Sequence, residues 1–156
     1  MLPIISIVIG TRPEAIKLAP VVIAFRASKA FKTRVLFSGQ HKDMVPEVLD
    51  IFDIKTDLEL DLFREDQRLD SLTNKLMIGL TQDFQKNKPH LVLVQGDTTT
   101  AFVSALAAFY LKIPVGHVEA GLRTDEIYDP FPEEINRRLI SQLSTLHFAP
   151  TEKSKL

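Results

Sequence analysis

Five short, predominantly apolar runs recur along the chain, several rich in β-branched residues, and a longer segment with helical spacing follows each of the first four. The runs are IISIVI at 4–9, RVLF at 34–37, LVLV at 91–94, PVGHV at 114–118 and LHFA at 146–149. They lack the in-out alternation of a strand with one wet face, so they predict strands buried on both faces. The stretches 13–28, 42–51, 70–87, 99–111 and 132–143 read as helices, and DLELDL at 57–62 reads as a further short strand. Parallel neighbours need crossover connections, and the helices supply them. The pattern predicts an α/β protein, a Rossmann-like doubly wound parallel sheet with helices on both faces.

At 156 residues and 45% hydrophobic content the chain fits one domain with an ample core. No internal repeat or low-complexity segment interrupts it. Nineteen basic against twenty acidic residues give a net charge of -1, and no basic stripe points to nucleic acid. The absence of cysteine excludes a disulfide framework, a thiolate metal site and a cysteine nucleophile, and suits a reducing cytoplasm. MLPIISIVIG has no basic leader, and AFVSALAAFYL at 101–111 is too short to cross a bilayer, so the expectation is a soluble protein with no membrane partner.

In a doubly wound sheet the ligand crevice lies beyond the carboxyl ends of the strands, which directs attention to the strand exits. In GTRPEAIK, residues 10–17, Gly10 permits a tight turn, Pro13 suits the first helical position and Glu14 suits the positive helix end. Free backbone N–H groups there, with Arg12 and Lys17, would hold a phosphate. Equally, the stretch is a plain turn whose Arg12, Glu14 and Lys17 are solvated charges. In VQGDTTTAF, residues 94–102, Asp97 and Thr98 are both competent N-caps, and three consecutive threonines exceed what one cap needs. The surplus hydroxyls point to ligand contact.

The third exit is GHVEAGLRT, where His117 and Glu119 leave the strand and small residues allow close approach. A carboxylate buried there must be paired, hydrogen-bonded or protonated. It reads as a catalytic group, or else as half of an ion pair with Arg123 or His117. In YDPFPEEINRR, residues 128–138, Pro132 can start a helix whose first turn holds Glu133 and Glu134, ordinary complements of the helix dipole. If the loop 121–131 folds back over the sheet, Asp97, Glu119 and Glu133 converge and raise one another's proton affinity, as acid–base work near neutral pH requires. His41, His90, His117 and His147 have no metal-ligand spacing, which predicts no protein-bound metal. At the end, APTEKSKL places Thr151 where an N-cap belongs and then supplies five residues, the start of a helix cut short or a frayed tail.

GTRPEAIK, SGQH, VQGDTTTAF, GHVEAGLRT and PFPEEINRR, in this order and followed by HFAPT, closely resemble the non-hydrolysing UDP-N-acetylglucosamine 2-epimerases, across essentially all 156 residues. The resemblance implies a glycosyltransferase-B-like architecture of two Rossmann-type domains. This chain, 1–156, would be the N-terminal one, and the UDP-binding C-terminal domain would be absent. It implies conversion of UDP-GlcNAc to UDP-ManNAc by loss of the C2 proton and elimination of UDP to 2-acetamidoglucal, then re-addition on the other face, with no cofactor. Asp97, Glu119 and Glu133 fall on the family's essential carboxylates. Arg12 and Lys17 fall on positions near the nucleotide or needed for activity, and Thr99, His117 and Arg137 lie in the same motifs as substrate-binding residues. Gln40 and His41 match a region where some members bind a second, regulatory UDP-GlcNAc. Two departures stand out: Gln95 where members often carry histidine, and Asp43 where a regulatory-site glutamine can occur.

The resemblance also places a histidine needed for catalysis in the missing domain, so the isolated chain is expected to be inactive. Other readings remain open at this point: a hydrolysing relative that releases ManNAc and UDP, a glycosyltransferase on the same fold, or a non-catalytic UDP-sugar-binding or dimerisation module. The apolar character of AFVSALAAFY and the family's habit of pairing through this domain lead to the expectation of a homodimer.

Overall fold

The computed structural model describes residues 2–39, 44–62 and 67–155. Its six strands are β1 (Ile4–Ile9), β2 (Lys32–Phe37), β3 (Leu58–Glu59), β4 (Leu91–Gln95), β5 (Val115–Val118) and β6 (Leu146–Phe148). Five helices connect or follow them: α1 (Arg12–Ala27), α2 (Met44–Ile51), α3 (Leu69–Asn87), α4 (Thr99–Tyr110) and α5 (Glu133–Leu143). The strands form one sheet in the order β3-β2-β1-β4-β5-β6, and every pairing is parallel. The chain thus winds outward from β1 to one edge, returns past β1 to β4, and winds to the other edge. This is the doubly wound arrangement expected from the alternation of runs.

Both faces are covered, which explains why the central strands are predominantly apolar. Ile5, Ile7 and Ile9 of β1 pack with α1 and α2 through Ala15, Leu18, Val22, Val45 and Leu49. On the other face Val8, Leu36, Val92 and Val94 meet α3, α4 and α5 through Leu76, Leu80, Phe84, Val103, Ala107 and Ile140. The helix expected to be too apolar for exposure is therefore a core helix of its own domain: Ala101, Val103, Ala105, Ala107 and Ala108 are buried, and only Phe109 and Tyr110 at its end are strongly exposed. The short strand expected at 57–62 is two residues long and lies at the sheet edge. Thr151 does precede a helical turn, a 3-10 turn at Glu152–Ser154, where its hydroxyl lies 3.0 Å from that of Ser154. No helix among the described residues is long and apolar enough to cross a membrane.

A candidate active site at the carboxyl ends of β4 and β5

Beyond β4 the chain turns at Gly96, with φ of 69°, and presents Asp97 before α4 begins. Thr98, not Asp97, caps the helix: its Oγ1 accepts the Ala101 amide at 3.0 Å. Asp97 is thereby released for another partner, and its Oδ2 lies 2.6 Å from the Arg137 guanidinium of α5. Asn136, one residue earlier, donates to the Asp97 carbonyl at 2.9 Å, so α5 grips the turn at two points. Burial pushes the Asp97 carboxyl above the usual carboxylate range. Arg137 opposes this by charge and hydrogen bond, and the charges of Glu133 and Glu119 push it further up.

Glu119 follows β5 in the left-handed region, φ 67°, a conformation that costs a non-glycine residue on the order of 1–2 kcal/mol. Its side chain is held from two directions. The Lys17 ammonium of α1 donates to Oε1 at 2.9 Å and to Oε2 at 2.7 Å, and the Gln95 amide at the end of β4 also donates to Oε2. The partners expected for an ion pair, Arg123 and His117, are not the ones used. Arg123 turns instead to the Leu122 carbonyl and the Ser141 hydroxyl.

Lys17, Glu14, Gln95, Asp97, Thr98 and Glu119 share the walls of one cavity of about 200 Å³. An adjoining cavity of about 360 Å³ is walled by Thr99, Pro132 and Glu133, and shares Thr11, Pro13 and Thr98 with the first. Acids from three separate segments therefore gather at one mouth of the sheet, Asp97 and Glu119 in one cavity and Glu133 in its neighbour. The loop expected to fold back is anchored by Glu134, which is fully buried. Its carboxylate accepts the Thr124 amide at 3.0 Å and Arg138 Nε at 2.6 Å, and stands 3.2 Å from Arg137. Burial pushes this carboxyl up, but Arg138, the Thr124 amide and Arg137 together hold it below the usual range.

Several expected binding groups are already engaged within the chain. The N–H groups of Gly10 and Thr11, expected to be free for a phosphate, both donate to the buried Glu14 carboxylate, at 2.8 and 2.6 Å. Glu14 is thus not the solvated charge of the plain-turn reading either. Arg137 is 13% exposed and committed to Asp97 and Glu134, so it shapes the acid rather than standing free for substrate. His117 does not reach the crevice. It is 1% exposed, its Nε2–H donates to the Gly96 carbonyl at 2.7 Å, and its Nδ1 is buried without a partner. Burial drives its pKa down despite that carbonyl, which favours the neutral ring. Of the three threonines, Thr98 caps and bonds Glu14, Thr100 is buried 3.1 Å from the Ser38 hydroxyl, and Thr99 faces the second cavity. Arg12 is exposed on the first turn of α1, outside the lining of either cavity. Gln40 and His41 lie outside the described residues.

Sequence reasoning places Glu14 at the helix start but misses three roles that build this site: Glu14 as the acceptor of the Gly10 and Thr11 amides, Gln95 as a donor to Glu119, and Glu134 as the anchor of the loop. Only Glu14 has a local signature, since Thr11 followed three positions later by glutamate is the pattern of a capping box. Among the described residues no three His, Asp or Glu side chains gather with the geometry of a metal site.

A model of the UDP-N-acetylglucosamine 2-epimerase family matches residues 23–156. The UDP-N-acetylglucosamine 2-epimerase of Neisseria meningitidis is 51% identical over 148 residues, 95% of this chain and 40% of that protein. A crystal structure of the Neisseria meningitidis UDP-GlcNAc 2-epimerase bound to UDP-GlcNAc superposes with a TM-score of 0.93 at 49% identity, covering 99% of this chain and 41% of that one. Acinetobacter baumannii MurG, at 13% identity and a TM-score of 0.72 over 98% of this chain and 43% of its own, shares the fold alone. The chain spans about 40% of the length of the curated relatives it matches. With Lys17, Asp97, Glu119 and Glu133 gathered at one mouth of the sheet and the family model covering most of the sequence, this chain belongs to the UDP-N-acetylglucosamine 2-epimerase family.

Proposed function

We propose that this chain is the N-terminal, sugar-facing domain of a non-hydrolysing UDP-GlcNAc 2-epimerase that interconverts UDP-GlcNAc and UDP-ManNAc. A carboxylate takes the C2 proton while the C1–O bond to UDP breaks, giving 2-acetamidoglucal and UDP. A proton then returns to C2 on the opposite face as a phosphate oxygen of UDP re-forms the bond to C1. One proton leaves and one arrives, so the sequence is redox-neutral. Inversion at C2 asks for proton carriers on both faces of the ring, which acids on separate elements can provide. Asp97, with its raised proton affinity, is one carrier and Glu133 the other. Glu119, charged and gripped by Lys17 and Gln95, sets the field between them. The observation that carries this reading is the convergence of the three carboxylates, with Asp97 feeling the charge of both others.

On this reading a second, UDP-binding domain completes the site, and residues 1–156 alone do not turn over substrate. The whole protein works in the cytoplasm as a homodimer. Support for pairing comes from the exposed Phe109 and Tyr110 at the end of α4 rather than from the helix as a whole. The test is to incubate the full-length protein with UDP-GlcNAc and identify products by NMR. UDP-ManNAc as the product supports the proposal; free ManNAc with UDP, transfer to an acceptor, or unchanged substrate contradicts it.

A further inference from the structure

Strand order reverses between β1 and β4, and the gap beyond their carboxyl ends is where an open α/β sheet ordinarily receives its ligand. In this chain that gap is closed from within. Gly10 packs so near Thr100 that a Cβ on it would lie 2.4 Å from the threonine Oγ1. Beside this contact the Glu14 carboxylate bridges the two sides. Its Oε2 accepts the Gly10 amide at 2.8 Å, the Thr11 amide at 2.6 Å and the Thr11 hydroxyl at 3.0 Å, and its Oε1 accepts the Thr98 hydroxyl at 2.7 Å. The amides are donors that a phosphate at this helix start would require, and amides can only donate, so Oε2 stays an acceptor in any protonation state of the group. Glu14 is 1% exposed, so a ligand phosphate taking these donors would strand a buried carboxyl beside a second anion.

We propose that Glu14 is a specificity-determining residue: a tethered carboxylate that fills the amide cradle of the β1–α1 turn and refuses the diphosphate of a nucleotide sugar there. The adjoining Asp97–Glu119 crevice then receives the sugar ring. This orientation of the substrate rests on the function proposed above. The occupied cradle does not, since it is a property of the turn itself.

The test is an amide NMR titration of the 156-residue chain with pyrophosphate and, separately, with UDP. In the wild type the Gly10 and Thr11 amide resonances stay in place at millimolar ligand. Glu14→Ala empties the cradle, and these two resonances then shift saturably with pyrophosphate. Glu14→Gln keeps it filled by an uncharged group and leaves them still. Glu14→Ser is a second cavity-forming variant read in the same way, in case the alanine variant does not fold. A wild-type turn that responds to pyrophosphate, a folded Ala or Ser variant that does not, or a Gln variant that responds like Ala overturns the proposal. The titration involves no turnover. A full-length protein that fails to epimerise, with a silent wild-type turn and a responsive Ala variant, would sink the functional reading and leave the occupied cradle standing.

Discussion

Lys17 and Glu119 stand 102 positions apart in the chain, yet the lysine Nζ lies 2.9 and 2.7 Å from the two oxygens of the glutamate. The contact ties the first turns of α1 to the exit of β5 and fixes a side chain whose backbone sits in the left-handed region. With the Gln95 amide on the same carboxylate, Glu119 is aimed before any ligand arrives, and its charge is matched by a cation rather than dispersed in water.

Replacing Lys17 by alanine separates aim from stability. The pair is 49% and 25% exposed, so its loss costs under about 1 kcal/mol of stability, whereas misdirecting a group at the reacting centre costs on the order of 10²-fold in rate. The expected outcome in the full-length protein is a nearly unchanged thermal midpoint with a large fall in kcat. An unchanged kcat denies Glu119 its assigned place.

Arg137 restrains the proton affinity of Asp97, while Glu133 and Glu119 raise it. Arg137→Gln should therefore move the acidic limb of the kcat/KM profile to higher pH, because Asp97 holds its proton longer. Glu133→Gln should move the same limb to lower pH, alongside any loss of rate. Opposite displacements of one limb identify Asp97 as the titrating group; a limb that ignores both substitutions identifies another.

Glu134 and Glu14 are both buried glutamates with opposite pH signatures. The folded pKa of Glu134 lies below the ordinary glutamate value, so its stabilisation is present above that ordinary value and is lost as pH falls through the folded one. Glu134→Gln should cost about 1.5–3 kcal/mol at neutral pH, the usual range for hydrogen bonds to a charged group, with the gap narrowing in acid. Urea melts of both proteins across the acid range measure it.

For Glu14, burial outweighs the bonds from Thr98, Gly10 and Thr11, and the folded pKa lies above 4.5. The wild type is favoured over Glu14→Gln most strongly below 4.5, and that advantage is lost as pH rises through the folded value. The same melts should show a slope of opposite sign to that of the Glu134 pair; parallel slopes would mean that one of the two environments is misread.

The sheet was legible because strands covered on both faces leave predominantly apolar runs, as in β1, β4 and the second half of β2, whereas β3, at the edge, keeps two paired residues of the six in DLELDL. Asp97, Glu119 and Glu133 could be singled out because a strand exit in this fold is a site by topology. The direction in which a side chain leaves the backbone is fixed by tertiary packing, and there the sequence was silent. Nothing local separates a histidine buried on the Gly96 carbonyl from one facing a ligand, or an arginine spent on Asp97 from one free to bind. Glu133 and Glu134 are adjacent acids, yet helical geometry sends the second into the interior to hold Thr124 and leaves the first at the mouth.

The central claim is proton transfer at the sugar's C2 carbon by this carboxylate group, and solvent deuterium tests it most directly. Full-length protein incubated with UDP-GlcNAc in D₂O should yield UDP-ManNAc carrying deuterium at C2, and Asp97→Asn should slow that incorporation by roughly 10²–10⁴-fold while leaving the fold intact. UDP-ManNAc that retains its original C2 hydrogen, or an asparagine variant that exchanges at the wild-type rate, would contradict the account.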